Sequence, residues 1–217
     1  MVISARRRDR LDALVADLGE RAHAVVADVG IDADCARLVA EATAIGGRLD
    51  ILVNNAGIAA SGPAESEPIE TFRNVVDVNL GAVFLVSQLA FESLQASGHG
   101  SVVNVASVLG LVASTPIKQA SYCASKGAVV NLTRELGCQW ARKGVRVNAL
   151  APGWFPSEMT ADMWEHEGTV GFINKNTPIG RGGREHELDG VLLFLASDAS
   201  SFMIGQTIVV DGGWTAR

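Results

Sequence analysis

The chain opens with "MVISARRRDR", residues 1–10, in which apolar Val2 and Ile3 run to Ala5 and three arginines follow before any glycine. A short apolar run bounded by charge reads as a buried strand. Arginines at the start of the next helix oppose its macrodipole, at a cost of a few tenths of a kcal/mol each. An anionic ligand would reverse that sign; a solvated basic helix start is the plainer alternative.

Working outward from this stretch, residues 1–5, 23–27, 50–53, 101–106, 145–151 and 207–211 read as β-rich runs separated by helical patterns. That alternation predicts an α/β fold, a doubly wound parallel sheet with helices on both faces. Leu11, Leu14, Val15 and Leu18 share one helical face, and Gly19 falls where that helix should stop. A second helix is expected over about 32–45 with Asp32 as N-cap. The segment 80–97 is apolar nearly all round, so it is either deeply buried or packed on another subunit. A helix over 120–142 leads into the strand "VRVNALAPG", residues 145–153. "PIGRGG", 178–183, reads as a loop before a final helix over 184–196 rather than a domain linker. One domain, 1–217, is expected, with a substrate-loop segment at about 154–183.

Composition narrows the function. At 217 residues and 48% hydrophobic, one core can hold the chain together. A formal net charge of -6 argues against nucleic acid or an anionic membrane as partner. Cys35, Cys123 and Cys138 are odd in number and in no metal-ligand spacing, which predicts reduced thiols, no metal and a cytoplasmic protein. No apolar stretch is read as reaching the length of a membrane span, and no secretory leader is apparent.

The chemistry concentrates in "YCASK", 122–126. Tyr122 and Lys126, four residues apart on a helix, share a face. An ammonium beside the phenol favours phenolate and lowers its pKa, which suits a general acid or base. Such pairs also decorate solvated helices. Here Tyr122 is the chain's one tyrosine, and small Ala120, Ser121, Ala124 and Ser125 surround it, leaving room for a substrate. Ser107 ends the strand "NVAS", 104–107, where ligands bind in open parallel sheets. It is either a donor to a carbonyl oxygen or a strand-ending turn serine. "NNAG", 54–57, also follows a strand, and its residue types suit either a close ligand approach or a turn.

"NNAG", "NVAS" with Ser107, "YCASK", "VRVNALAPG" and "GQTIVVDGG" (205–213) occur in an order that resembles the short-chain dehydrogenase/reductase family over essentially the whole chain. The resemblance implies a Rossmann-type fold, a nicotinamide cofactor, and a homotetramer or homodimer. It implies catalytic roles for four residues. Tyr122 would move the substrate proton, and Ser107 would orient the substrate oxygen. Lys126 would hold the nicotinamide ribose and lower the tyrosine pKa, and Asn79 in "NLGA" would support a proton-relay water. Asn55, Ala56 and Gly57 would lie along the adenosine ribose, and Asp28 with Val29 against adenine, although Asp28 could equally be a turn residue. Pro152 and Gly153 would form the bend beside the nicotinamide, and Ser157 would take the place of the family's usual threonine.

Two departures matter. The 14 residues "VLGLVASTPIKQAS" between Ser107 and Tyr122 are slightly long for the family, which implies a short insertion at the substrate mouth. The family's glycine-rich turn, Gly-x-x-x-Gly-x-Gly, occurs nowhere, so residues 1–5 correspond to strand two. The expectation is an N-terminally truncated domain, a fragment or mis-started frame, lacking its first strand and helix. Where strand two ends, an acidic residue takes the ribose of NAD and an arginine accommodates the 2′-phosphate of NADP. Ala5 followed by Arg6 and Arg7 therefore favours NADP(H) over NAD(H).

The reaction implied is interconversion of a secondary alcohol and a ketone in a small molecule. The apolar side chains Trp154, Phe155, Met159, Met163, Trp164 and Phe172 lean the choice toward a 3-oxoacyl or general ketone reductase, though they could be core. A sugar or polyol dehydrogenase of the same family stays open, as does an inactive scaffold that binds no cofactor. Enoyl reductases of the family fit less well, because they resemble a longer tyrosine-to-lysine spacing.

Overall fold

The computed structural model describes residues 1–216. All six strands form: β1 Val2–Ala5, β2 His23–Val26, β3 Ile51–Asn54, β4 Gly100–Val105, β5 Val145–Pro152 and β6 Thr207–Val210, each paired in parallel. Helix α1, Arg8–Leu18, joins β1 to β2, and α2, Asp32–Gly46, joins β2 to β3. Helices α3, Ile69–Val76, and α4, Ala82–Ser97, lie between β3 and β4, and α5, Ala120–Trp140, between β4 and β5. Helices α6, Ala161–Glu165, α7, Glu167–Asn176, and α8, Asp189–Ala196, precede β6. The architecture is a Rossmann-like α/β fold.

The strands do not all join in the one doubly wound sheet expected. The strands form a pair, β1-β2, and a separate four-stranded sheet in the order β3-β4-β5-β6. Ile51 and Val53 on β3 are 48% and 40% exposed, unlike β4, whose Val102 and Val103 are fully buried. The two sheets are tied through helices instead of through a ladder: Cys35 and Val39 of α2 pack with Val86, Ala90 and Leu94 of α4. Side chains alternate across β4, Val102 joining the α4 and α5 core and Val103 joining Leu150 and Leu195 of α8. Helices α4 and α5 cover one face of the four-stranded sheet, and α8 packs on the other at β4 and β5, leaving that face open at β3.

Two local readings change. The N-cap of α2 is Ile31, in extended conformation, and Asp32 sits inside the first turn, where its charge still favours the helix dipole. The apolar segment 80–97 belongs to a continuous helix over Ile69–Ser97, long and apolar enough by length and composition to cross a membrane, contrary to the sequence reading. Its inner face carries buried Asn79 and Ser87, both hydrogen-bonded inside the fold. A π-helical turn, Asp77–Gly81, separates α3 from α4 and turns Asn79 inward.

A polar line crosses the core between helices. Asn54 and Asn104 are paired across β3 and β4, and the Asn54 amide donates to Asn104 Oδ1 at 2.8 Å and to Ser87 Oγ at 2.9 Å. The Asn104 amide donates in turn to Thr133 Oγ1 at 2.9 Å. Asn104→Leu should strand part of this line at a cost of about 1–3 kcal/mol. At roughly 2–4 °C per kcal/mol for a chain of this size, thermal denaturation should show the variant melting several degrees below the wild type.

Candidate active site

The site grows from the carboxyl end of β4. The chain leaves the sheet at Ser107 and enters a 3-10 turn, Val108–Gly110, against α5. A Cβ on Gly110 would lie 2.6 Å from both the carbonyl carbon and oxygen of Lys126, so only glycine lets this turn touch the helix there. That contact brings Ser107 beside Tyr122, and a hydrogen bond from Ser107 favours the phenolate. Ser107 Oγ also accepts from Leu109 N at 3.1 Å, which fixes its rotamer.

Lys126 is buried, 4% exposed, and its Nζ donates to Val105 O at 2.7 Å. Burial lowers its pKa to about 8. Its ammonium stands 5.8 Å from the centre of the Tyr122 ring. Asn79 is fully buried; its Oδ1 accepts from Ile58 N at 2.8 Å, and its Nδ2 donates to Ile58 O and to Ser125 Oγ. A Cβ on Gly57 would approach Asn79 Oδ1 at 3.2 Å and Lys126 Nζ at 3.5 Å. The structure therefore brings Asn79, Ser107, Tyr122 and Lys126 to one end of the sheet.

One electrostatic expectation is corrected. The sequence reading has Lys126 lowering the Tyr122 pKa, whereas the Tyr122 phenol is pushed above its ordinary value because burial outweighs the Ser107 bond. Lys126 Nζ donates to the Val105 carbonyl. At neutral pH Tyr122 is therefore a phenol.

The residues read as cofactor contacts are placed as follows. Asp28 Oδ1 accepts from Gly30 N, Asp28 N donates to Asp34 Oδ2, and Arg6 lies 3.8 Å from the Asp28 carboxylate. Val29 packs onto the α2 and α4 core. Asn55, Ala56 and Gly57 form the loop after β3, with Asn55 and Ala56 exposed. Pro152 ends β5, and Gly153 N donates to Val210 O. Ser157 Oγ contacts Thr160 Oγ1 at 2.9 Å. Arg7 is ion-paired with Glu158, and Arg10 reaches the same carboxylate at 3.3 Å. A cation pair already holding an anion from another element fits a phosphate by the chemistry of its donors.

Several contributors escaped the sequence reading. A cleft of about 70 Å³ is lined by Ser107, Tyr122, Ala59, Gln119, Met159 and Met163, with Trp154 and Thr160. Gln119, at the N-cap of α5, was not singled out, although it lies one turn before Tyr122. A second cavity of about 170 Å³ lies between Trp154 and the Asp211–Gly212 turn. The apolar residues of 154–183 divide: Met159 is exposed at the cleft, while Trp154, Phe172 and Ile173 pack with Trp214 as core. The segment between Ser107 and Tyr122 lends Val108, Leu109 and Gln119 to the cleft wall.

A family model described as enoyl-(acyl carrier protein) reductase matches residues 1–215. Galactitol 2-dehydrogenase (L-tagatose-forming) of Cereibacter sphaeroides is 40% identical over 216 residues, 99% of this chain and 85% of that protein. The 3-oxoacyl-(acyl-carrier-protein) reductase of Rickettsia bellii is 34% identical over 213 residues, 98% of this chain and 85% of its own. A crystal structure of gluconate 5-dehydrogenase from Burkholderia cenocepacia, in complex with NADP and tartrate, superposes with a TM-score of 0.92. It is 38% identical, and the match covers 100% of this chain and 85% of that one. The chain belongs to the short-chain dehydrogenase/reductase family.

The buried lysine has a pH signature. Its folded pKa, about 8, lies below the ordinary lysine value of 10.5, so between these values the unfolded chain binds more protons than the folded one. Stability contributed by this group is depressed below pH 8 and rises as pH climbs from about 8 toward 10.5. Chemical denaturation at pH 7.5 and 9.5 should show a gain in the wild type, relative to Lys126→Met, that the variant lacks.

Proposed function

We propose that this chain is an NADP(H)-dependent oxidoreductase that interconverts a secondary alcohol and a ketone in a small hydroxylated substrate such as a sugar alcohol or sugar acid. The observation that carries the reading is the convergence of Ser107, Tyr122, Lys126 and Asn79 at the carboxyl end of β4. When bound, the nicotinamide supplies the hydride acceptor for the alcohol or the hydride donor for the ketone. In reduction, the Tyr122 phenol gives its proton to the substrate oxygen and Ser107 donates a hydrogen bond to that oxygen. In oxidation, the Tyr122 phenolate takes the hydroxyl proton. Lys126 would hold the nicotinamide ribose, and Asn79 fixes the backbone at Ile58 beside it.

The substrate class is supported by relatives whose names specify galactitol and gluconate. A 3-oxoacyl thioester is a second reading, favoured by Met159 and Met163 in the cleft wall and by the Rickettsia relative. NADP(H) is supported by the Arg7 and Arg10 cluster and by the NADP named in the Burkholderia complex. Asp28, Val29, Asn55, Ala56, Gly57, Pro152, Gly153 and Ser157 are retained as cofactor contacts, and Arg6 as a second cation near the 2′-phosphate. The free thiols of Cys35, Cys123 and Cys138 support a cytoplasmic location.

Tyr122→Phe should lower kcat by about 10²- to 10⁴-fold, the span expected for loss of a general acid, in assays of NADPH oxidation with a panel of ketones. Undiminished turnover would remove Tyr122 as the acid. Because its pKa is raised, alcohol oxidation should accelerate as pH rises above neutrality while ketone reduction does not.

Arg7→Ala should weaken NADPH binding by about 10-fold or more, the value of a charge-assisted bond, with NADH binding little changed in a fluorescence titration. Equal weakening of both cofactors would argue against 2′-phosphate recognition, and no NADPH affinity in the wild type would favour the scaffold reading.

Assembly into a homodimer or homotetramer is proposed on the family resemblance and on exposed apolar side chains. Phe84 and Leu89 on α4, Leu193 on α8 and Phe202 beyond it are 44%, 38%, 69% and 103% exposed. Light scattering coupled to size-exclusion chromatography should give two or four chain masses, and Phe202→Glu together with Leu193→Glu should reduce that number.

A further inference from the structure

The arginines within residues 6–10 divide by where their partners come from. Arg8 pairs with Asp12 one turn along its own helix, and Arg6 lies 3.8 Å from Asp28, just past the neighbouring strand β2. Arg7 and Arg10 share a single partner, Glu158, which stands 151 positions from Arg7 in the sequence. Arg7 is the N-cap of α1 and Arg10 lies in its first turn, so both oppose the helix dipole and a carboxylate beside them offsets that cost. All three side chains are more than half exposed. Ion pairs so open to water are weak and readily exchanged.

Glu158 is also the first residue of a small unit that reaches the cleft. The 3-10 turn Glu158–Thr160 runs directly into α6. Thr160 Oγ1 ties the unit together: it accepts from Ser157 N at 2.9 Å and from Trp164 Nε1 at 3.1 Å, and it donates to Phe155 O at 2.9 Å. Met159, Thr160 and Met163 of this unit line the cleft together with Ser107 and Tyr122. Ser107, Val108, Leu109 and Trp154 of the same wall are buried, whereas no residue of the turn or of α6 is. The cleft holds about 70 Å³, far below the roughly 300 Å³ of pockets that take small ligands. A substrate of several carbons therefore needs a wall to give way, and the unit that starts at Glu158 is the part least held by the core.

We infer that Glu158 is an internal stand-in for the cofactor's 2′-phosphate: it occupies Arg7 and Arg10 until a phosphate displaces it, and its release frees the Met159 and Met163 wall of the cleft. This latch rests on the NADP(H) reading and deepens it, because one carboxylate then links cofactor choice to substrate entry. A phosphate monoester brings about two negative charges and three acceptor oxygens, more than a carboxylate offers, so it is the stronger partner for two guanidinium groups. With the phosphate in place, the like charge of Glu158 is repelled. A cofactor with a plain hydroxyl at that position carries no such charge and leaves Glu158 where it is.

The test uses the 217-residue protein and adenosine 2′,5′-bisphosphate, which carries the 2′-phosphate but no nicotinamide; adenosine 5′-phosphate is the control. In calorimetric titrations, Glu158→Gln should bind the bisphosphate about 3- to 10-fold more tightly than the wild type, the value of one or two exposed ion pairs that no longer have to be broken. Its affinity for adenosine 5′-phosphate should be unchanged. In ¹H–¹³C spectra of protein labelled at the methionine methyls, Met159 and Met163 are identified by their loss in Met159→Leu and Met163→Leu. Both resonances should shift when the wild type is titrated with the bisphosphate and stay in place with the monophosphate. In ligand-free Glu158→Gln they should already lie near the shifted positions. Equal or weaker bisphosphate binding by Glu158→Gln would overturn the competition, and methyls unmoved in the saturated wild type would overturn the link to the cleft; either result leaves the NADP(H) reading standing. No bisphosphate binding by either protein would overturn both.

Discussion

A buried ammonium ion held against the last carbonyl of a central strand organises this protein's chemistry. Lys126 sits 4% exposed with its Nζ 2.7 Å from Val105 O. A cation so desolvated persists only when the surrounding structure keeps an acceptor in front of it. That requirement couples helix α5 to the end of β4, and both flanks of the contact are arranged around it. On one side Gly110, which has no room for a Cβ, lets the turn after Ser107 lie on the Lys126 backbone. On the other, Asn79 clamps Ile58 and reaches Ser125, one residue before the lysine. Ser107 and Tyr122 meet because these two constraints leave them no other place.

The same economy of polar groups runs deeper in the core. Ser87, Asn54, Asn104 and Thr133 form a chain of donors and acceptors from α4 through two strands to α5. Apolar packing alone leaves strand and helix free to slide by small amounts, whereas a satisfied buried network admits one register. The network and the lysine share α5, so the helix that carries Tyr122 and Lys126 is positioned at its middle and near its start. Helix α4 serves the network with its inner face and, through α2, holds the β1-β2 pair to the larger sheet.

Around this rigid centre, the elements that would meet cofactor and substrate are held by surface charges. Arg7 and Arg10 engage Glu158 from the segment after β5, and Arg181 engages Glu187. Exposed ion pairs of this kind contribute little to stability and exchange partners readily. A cluster that already binds a carboxylate is suited to exchanging it for a phosphate. The cleft beside Ser107 and Tyr122 contrasts with this charged rim: methionine and tryptophan surround a few polar groups there.

By itself the sequence determined the six strands, the main helices and the Ser107, Tyr122 and Lys126 set. Apolar periodicity and a fixed four-residue helical spacing are local properties that survive without coordinates. The division of the strands into two sheets was decided by tertiary structure, since apolar runs record burial but not which edges pair. The N-cap of α2 shifted to Ile31 because the chain enters extended there, leaving Asp32 within the first turn. The Tyr122 proton affinity was likewise a tertiary outcome: spacing places an ammonium nearby, but burial of the phenol, outweighing the Ser107 bond, sets the sign. Gln119 and Trp154 come to the cleft from segments 35 residues apart, counted from their positions in the sequence. No local pattern encodes that meeting; it follows from where β4, α5 and β5 end in space.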